Sequence, residues 1–150
     1  MRKAAGFCDS QQDLKEIYIL FIRSILEQSA VVWHSSITNE EKESLERVQK
    51  SALRIILGHN YSSYKNALNK MDLQTLNERR ETLCLNFAKK CVKNEQFKQM
   101  FPLNIQKSEM KTRHKEKYKV QFANTERLKK SPIIYMQKLL NIDAEKQSNF

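Results

Sequence analysis

Apolar residues recur at intervals of three and four between Leu14 and Leu26, at Leu14, Ile17, Tyr18, Phe21, Ile22, Ile25 and Leu26. This is the period of one helix face, and it predicts a helix from about Gln11 to about Trp33. Arg23 and Glu27 fall on the opposite face at i, i+4, where a solvent-side ion pair supports a helix. Gln28 is the polar interruption in the stripe.

The next two helices announce their starts. In Thr38-Asn39-Glu40-Glu41 the threonine hydroxyl can accept the third helical N–H while Glu41 reaches back to the cap amide, so a second helix should begin near Asn39. Acids in its first turn and Arg54 in its last match the helix dipole, and Gly58 suits the left-handed position after its end. On a helical wheel Leu45, Val48, Ala52, Ile55 and Ile56 share one side, and Arg47, Lys50 and Arg54 lie together on the other. Tyr61 to Met71 reads as a brief helix. Thr75-Leu76-Asn77-Glu78 is a second capping box, opening a helix to about Lys93 with Leu83, Cys84, Phe87, Ala88 and Cys91 inward and Arg79, Lys90 and Lys93 outward. Arg80 points to the apolar side, as a structural residue would, with a carboxylate expected beside it.

Beyond Pro102 the helical pattern loosens. Tyr118, Val120 and Phe122 alternate with Lys117, Lys119 and Gln121, which predicts a short strand. Ser131-Pro132 then caps a short helix through Leu139, Leu140 and Asn141. The expectation is an all-α fold: a small bundle of three main helices and short extra ones over residues 1–102, a basic and partly extended segment over 103–130, a terminal helix over 131–141, and a disordered end over 142–150.

Composition narrows the classes. The 150 residues contain only 2 Gly and 2 Pro, too few turn formers for an all-β sandwich or a glycine-rich phosphate loop. The longest apolar run, Ile17 to Ile22, falls far short of the roughly 20 residues that span a bilayer, and no signal-type segment follows Met1, so no membrane partner and an intracellular site, nucleus or cytoplasm, are expected. Cys8, Cys84 and Cys91 form no Cys-x-x-Cys and read as reduced thiols, with Cys84 and Cys91 in the core.

Charge is unevenly placed. Residues 1–60 carry eight basic and eight acidic side chains, so the whole net charge of +10 lies beyond residue 60. A cationic face of this kind is either solvated surface or a polyanion contact.

Candidate chemistry is sparse. Two-metal nucleotidyl transfer needs convergent carboxylates, yet Asp9, Asp13, Asp72 and Asp143 are scattered. His34, His59 and His114 have no ligand-spaced neighbours and read as surface or packing residues. No catalytic residue, metal site or cofactor is expected.

Taken together, Leu14 through Glu27 with Val32-Trp33-His34-Ser35-Ser36, then Leu45-Glu46-Arg47-Val48-Gln49-Lys50 and Ala52-Leu53-Arg54-Ile55-Ile56-Leu57-Gly58, resemble the stretch downstream of the palm in non-LTR (LINE/jockey-like) retrotransposon reverse transcriptases. Ser63-Tyr64, Thr75-Leu76, Arg79-Arg80, Leu83-Cys84-Leu85, Asn124-Thr125-Glu126-Arg127 and Ser131-Pro132-Ile133 continue the pattern over nearly the whole chain. The resemblance implies a helical thumb-like region that holds a primer–template. The palm's Tyr-x-Asp-Asp metal site has no counterpart here, so the chain is expected to be a non-catalytic fragment of an RNA-directed DNA polymerase.

That resemblance turns the basic faces into candidate phosphate contacts. Arg47, Lys50, Arg54, Arg79, Lys90, Lys93, Lys115, Lys117 and Lys119 are expected to touch RNA, DNA or an RNA–DNA hybrid without reading sequence, with Tyr118 and Phe122 as stacking platforms. The competing reading is a helical interaction module whose first helix binds a second copy or a related reverse transcriptase. A relic open reading frame without a selected role is the third.

Overall fold

The first helix does not run unbroken from Gln11 to Trp33. In the computed structural model, which describes residues 10–104 and 117–148, it starts as α1 (Gln11–Ile17), capped by the Ser10 side chain. It widens into a π-helical stretch over Tyr18–Arg23 and closes as α2 (Ser24–Glu27). The chain then breaks at Gln28 and at Ser29, whose φ of 53° is left-handed, before the single turn α3 (Ala30–Trp33). A π-turn delays every following side chain relative to the α period. The expected face is kept at Leu14 and Tyr18, which are buried, and at Ile22, which packs on them, but Arg23 and Glu27 are largely covered and Phe21 and Ile25 are 65% and 70% exposed, as is Leu20 at 64%. The Ser24 hydroxyl donates to the Leu20 carbonyl at 2.6 Å, a back-bond of the kind found where helices deform.

Both capping boxes close as expected. In α4 (Asn39–Leu57) the Thr38 N–H donates to Glu41 Oε2 at 2.7 Å and the Glu41 N–H to Thr38 Oγ1 at 3.2 Å. Gly58 follows with φ 51°; the space around a Cβ there is open, so the backbone angle alone calls for glycine. The brief helix α5 spans Tyr64–Lys70, three residues later than expected, because Ser63 supplies its cap. Thr75 and Glu78 repeat the box at the start of α6 (Leu76–Lys93). An unforeseen turn, α7 (Glu126–Lys129), is capped by Thr125 and precedes α8 (Pro132–Ser148). Helix α8 continues past Asn141 instead of ending in disorder, and Lys89 of α6 pairs with Asp143 at 2.8 Å in that extension.

The described residues are mostly helical with no strand among them, an all-α fold that fits a small bundle. They fall into two compact units. One comprises the residues up to Ala30 with Ile37–Glu81, the other Val31–Ser36 with the residues from Thr82 onward, so the division lies inside α6.

The first unit's core gathers Leu14 and Tyr18, then Ala52, Leu53, Ile56 and Leu57 of α4, Ala67 and Leu68 of α5, and Met71. The buried face of α4 is turned from the one expected. Val48 is 41% exposed and Gln49 is buried in its stead. Gln49 is buried because its amide is fully used. Its Oε1 accepts from the Tyr18 hydroxyl at 2.5 Å, and its Nε2 donates to the Tyr64 hydroxyl at 3.0 Å and to the Gln74 carbonyl at 2.9 Å. Tyr64 in turn donates to Glu46, whose other oxygen accepts the Asn77 amide at 2.9 Å, an N–H of the first turn of α6. Arg80 is fully buried, in keeping with a structural role.

The second unit's core is built from Ala88 and Cys91 of α6, Phe101, Tyr118, and Met136 and Leu140 of α8. Cys84 is buried as expected, whereas Phe87, expected inward, is 45% exposed. His34 is buried with its ring edge-on to Tyr135, centroids 5.6 Å apart, the packing alternative of the two roles expected of it. The strand expected over Tyr118–Phe122 is reduced to one isolated bridge between Leu103 and Tyr118. The segment is nevertheless extended and held on both edges. On one, Asn104 N–H donates to Lys117 C=O and Lys119 N–H to Pro102 C=O, each at 2.9 Å. On the other, side-chain amides of α8 take the place of a neighbouring strand. Asn141 accepts from Tyr118 N–H at 2.8 Å and donates to Tyr118 C=O at 2.9 Å, while Gln137 accepts from Gln121 N–H and donates to Met100 C=O, both at 2.8 Å.

Removing a buried amide strands every group it served, at about 1–3 kcal/mol for each. Gln49→Ala should therefore lower stability by about 2–4 kcal/mol in urea unfolding, while Val48→Ala, on the half-exposed side, stays within about 1 kcal/mol. Asn141→Ala should speed hydrogen exchange at the Tyr118 amide at least about tenfold, the equivalent of one lost hydrogen bond, and leave the Gln121 amide protected by Gln137.

Candidate nucleic-acid interface

Three basic side chains follow one another along α4. Arg47, Lys50 and Arg54 are spaced i, i+3, i+7 on a single face, with Arg47 and Arg54 exposed and Lys50 half-buried. At 1.5 Å per residue the row spans about 10 Å, enough for about three successive phosphates of one strand at about 3.4 Å of axial rise each. Two of the cations are positioned by aromatic rings. The Lys50 ammonium lies 5.1 Å from the centroid of Tyr64 and the Arg54 guanidinium 5.4 Å from that of Tyr61, within reach of cation–π attraction. Tyr64 is itself locked by Glu46 and Gln49. The ordering of the Lys50 side chain thus begins at the buried amide of the core.

Arg79, the fourth residue expected in this set, is differently employed. Its Nε meets Glu27 Oε1 at 2.5 Å, and Arg23 approaches the same oxygen at 3.9 Å. Burial, and then the charge of Arg79, hold the Arg23 guanidinium below its ordinary pKa, with Glu27 opposing them. Arg79 is thus primarily an internal ion-pair partner.

In the second unit Lys90 and Lys93 are exposed on the last turns of α6, and Lys117 and Lys119 are exposed on the extended segment. Lys115 lies outside the described residues. Tyr118, expected to stack on bases, is unsuited to it: it is buried in the unit's core, with its backbone bonded to Asn141. Phe122 is 84% exposed and has a free ring face. Lys129 pairs with Glu126, and that partner holds the Glu126 carboxyl below the usual range.

The residues that position the α4 row, Glu46, Gln49, Tyr61 and Tyr64, were not singled out as site residues from the sequence. A signal existed: Glu46 and Gln49 form an i, i+3 polar pair next to an otherwise apolar face. Among the described residues no group of three or more His, Cys, Asp or Glu side chains could hold a metal ion, and no helix is long and apolar enough to cross a membrane. Burial raises the pKa of Cys91, which disfavours the thiolate and any nucleophilic use of it. Comparison of the chain with protein-family models, with curated proteins and with solved structures gave no match.

Burial raises the Tyr18 phenol above its ordinary value, and burial together with the hydrogen bond to Glu46 raises that of Tyr64. For a raised pKa the stabilisation is complete below the unfolded value, near 10 for tyrosine, and is lost as pH climbs above it, because only the unfolded chain can then ionise. The phenolate absorbance that Tyr18→Phe and Tyr64→Phe each remove should accordingly appear only together with loss of helical circular dichroism, above about pH 10.

Proposed function

We propose that this chain is the thumb-like, non-catalytic region of a non-LTR retrotransposon reverse transcriptase and binds primer–template RNA, DNA or hybrid inside the cell by its basic helix faces. The observation that carries the reading is the α4 row: three cations at helical spacing on one face, two of them seated on tyrosine rings. A merely solvated lysine face needs no such seating. The sequence resemblance supports the same reading, since Leu45 to Gly58, which includes the row, is among its most extended matching stretches. Contacts of this kind position a nucleic acid and do not read its bases.

A second reading, association with another copy or with a related polymerase, is favoured by one observation. Leu20, Phe21 and Ile25 leave an apolar patch open on the first unit.

Fluorescence anisotropy with a labelled RNA–DNA primer–template, titrated in salt, tests the first reading. If about five phosphates are neutralised, log K should fall against log[salt] with a slope near −4 to −5. Replacing Arg47, Lys50 and Arg54 together by Glu should abolish binding at about 0.1 M salt, where exposed charges still act over about 10 Å. Binding equal to the parent's would overturn the role given to α4, and a dimer without hybrid binding would favour the second reading.

A further inference from the structure

In the second unit the 99–102 turn, the segment around Lys119 and the start of α8 enclose an open groove of about 330 Å³. Met100, Pro102 and Ile133 supply apolar walls, and the exposed Gln99, Lys119 and Gln121 complete the lining with the buried Gln137. Among the described residues no carboxylate lines the groove. Its walls are tied to one another. The buried Gln137 amide bridges Met100 C=O and Gln121 N–H at 2.8 Å each, and Lys119 N–H is bonded to Pro102 C=O. The cleft is therefore set before any ligand arrives, which keeps the entropic cost of binding low.

We infer that this groove takes a single unpaired nucleobase, with the adjoining phosphate on Lys119. Its volume, at the small end for ligand pockets, has room for a nucleobase. The apolar walls suit the faces of a flat heterocycle. Free glutamine amides offer the paired donor and acceptor that a base edge presents, and the ammonium with no carboxylate opposite it selects an anionic ligand. Phe122, the residue after Gln121 and 84% exposed, offers a ring to a neighbouring base. The inference rests on the nucleic-acid reading of the chain and adds a single-stranded element that the α4 row does not supply.

The test is a chemical-shift titration of the full chain with adenosine, cytidine, guanosine and uridine 5′-monophosphates, the corresponding nucleosides, and inorganic phosphate. At least one nucleotide should shift the amides of Met100, Lys119 and Ile133 with a Kd of about 1 mM or tighter, as expected of a ligand this small. Lys119→Gln should weaken the nucleotide about tenfold and leave the nucleoside unchanged, and Gln121→Ala, whose main-chain bond to Gln137 survives, should weaken both about threefold, in keeping with one exposed charge-assisted and one neutral hydrogen bond. No shift in these amides from any nucleotide, or equal shifts from inorganic phosphate alone, would overturn the inference. Running the same titration on the variant with Glu at 47, 50 and 54 separates the two readings. Lost hybrid binding with the nucleotide titration intact leaves the groove standing by itself, and intact hybrid binding with no nucleotide response removes only the groove.

Discussion

The Gln49 side chain is the point on which the first unit turns. One carboxamide, buried at 1% exposure, joins the π-stretch of the first helix through Tyr18, α5 through Tyr64, and the approach to α6 through Gln74. Polar groups in an apolar interior are stabilising only when every donor and acceptor is matched, and then they admit one arrangement of the elements that carry them. Greasy contacts among Leu53, Ile56 and Leu68 would tolerate several rotations of α4. The amide selects one. That choice exposes Val48, covers Glu46 enough to let it cap α6, and sends Arg47, Lys50 and Arg54 outward.

Positive charge in this protein divides by what stands next to it. Arg79, Lys89, Lys98 and Lys129 each have a carboxylate within ion-pair distance, and their charge is largely offset where it sits. Lys50 and Arg54 rest on tyrosine rings, which orient a cation without neutralising it. The net charge of +10 is thus a poor guide to which residues can engage a polyanion. Neighbours sort them: Lys117 also lies over a ring, 5.8 Å from the Tyr118 centroid, and the α4 row keeps its charge although it lies in the stretch of sequence where acid and base balance.

What the sequence discloses follows from the range of the interactions involved. Thr38 with Glu41, Thr75 with Glu78 and the turn at Gly58 are local devices, and all three stand where the sequence places them. The basic row was legible for the same reason, being a matter of helical spacing. The π-stretch was not, since Tyr18 to Arg23 reads as ordinary α-helix and a one-residue delay leaves no mark in composition. The extension of α8 past Asn141 has no local mark, because the partner of Asp143, Lys89, lies more than fifty residues upstream. Alternation alone does not say which face of the Tyr118 stretch is covered, and the groove beside Lys119 depends on three separate stretches of chain. A glutamine such as Gln49 looks like surface on a helical wheel until its partners are known.

The hold of α8 on the extended segment separates anchorage from display. Gln137 and Asn141 grip main-chain groups of Tyr118 and Gln121, which every non-proline residue possesses, and Pro102 and Asn104 grip main-chain groups on the other edge. Tyr118 must keep its ring for the core, but Lys117, Lys119, Gln121 and Phe122 contribute little to fastening the segment beyond their backbones. Those positions can be rewritten by mutation without loosening the strap that carries them. A surface built this way is free to change its charge and shape while the fold beneath it stays fixed.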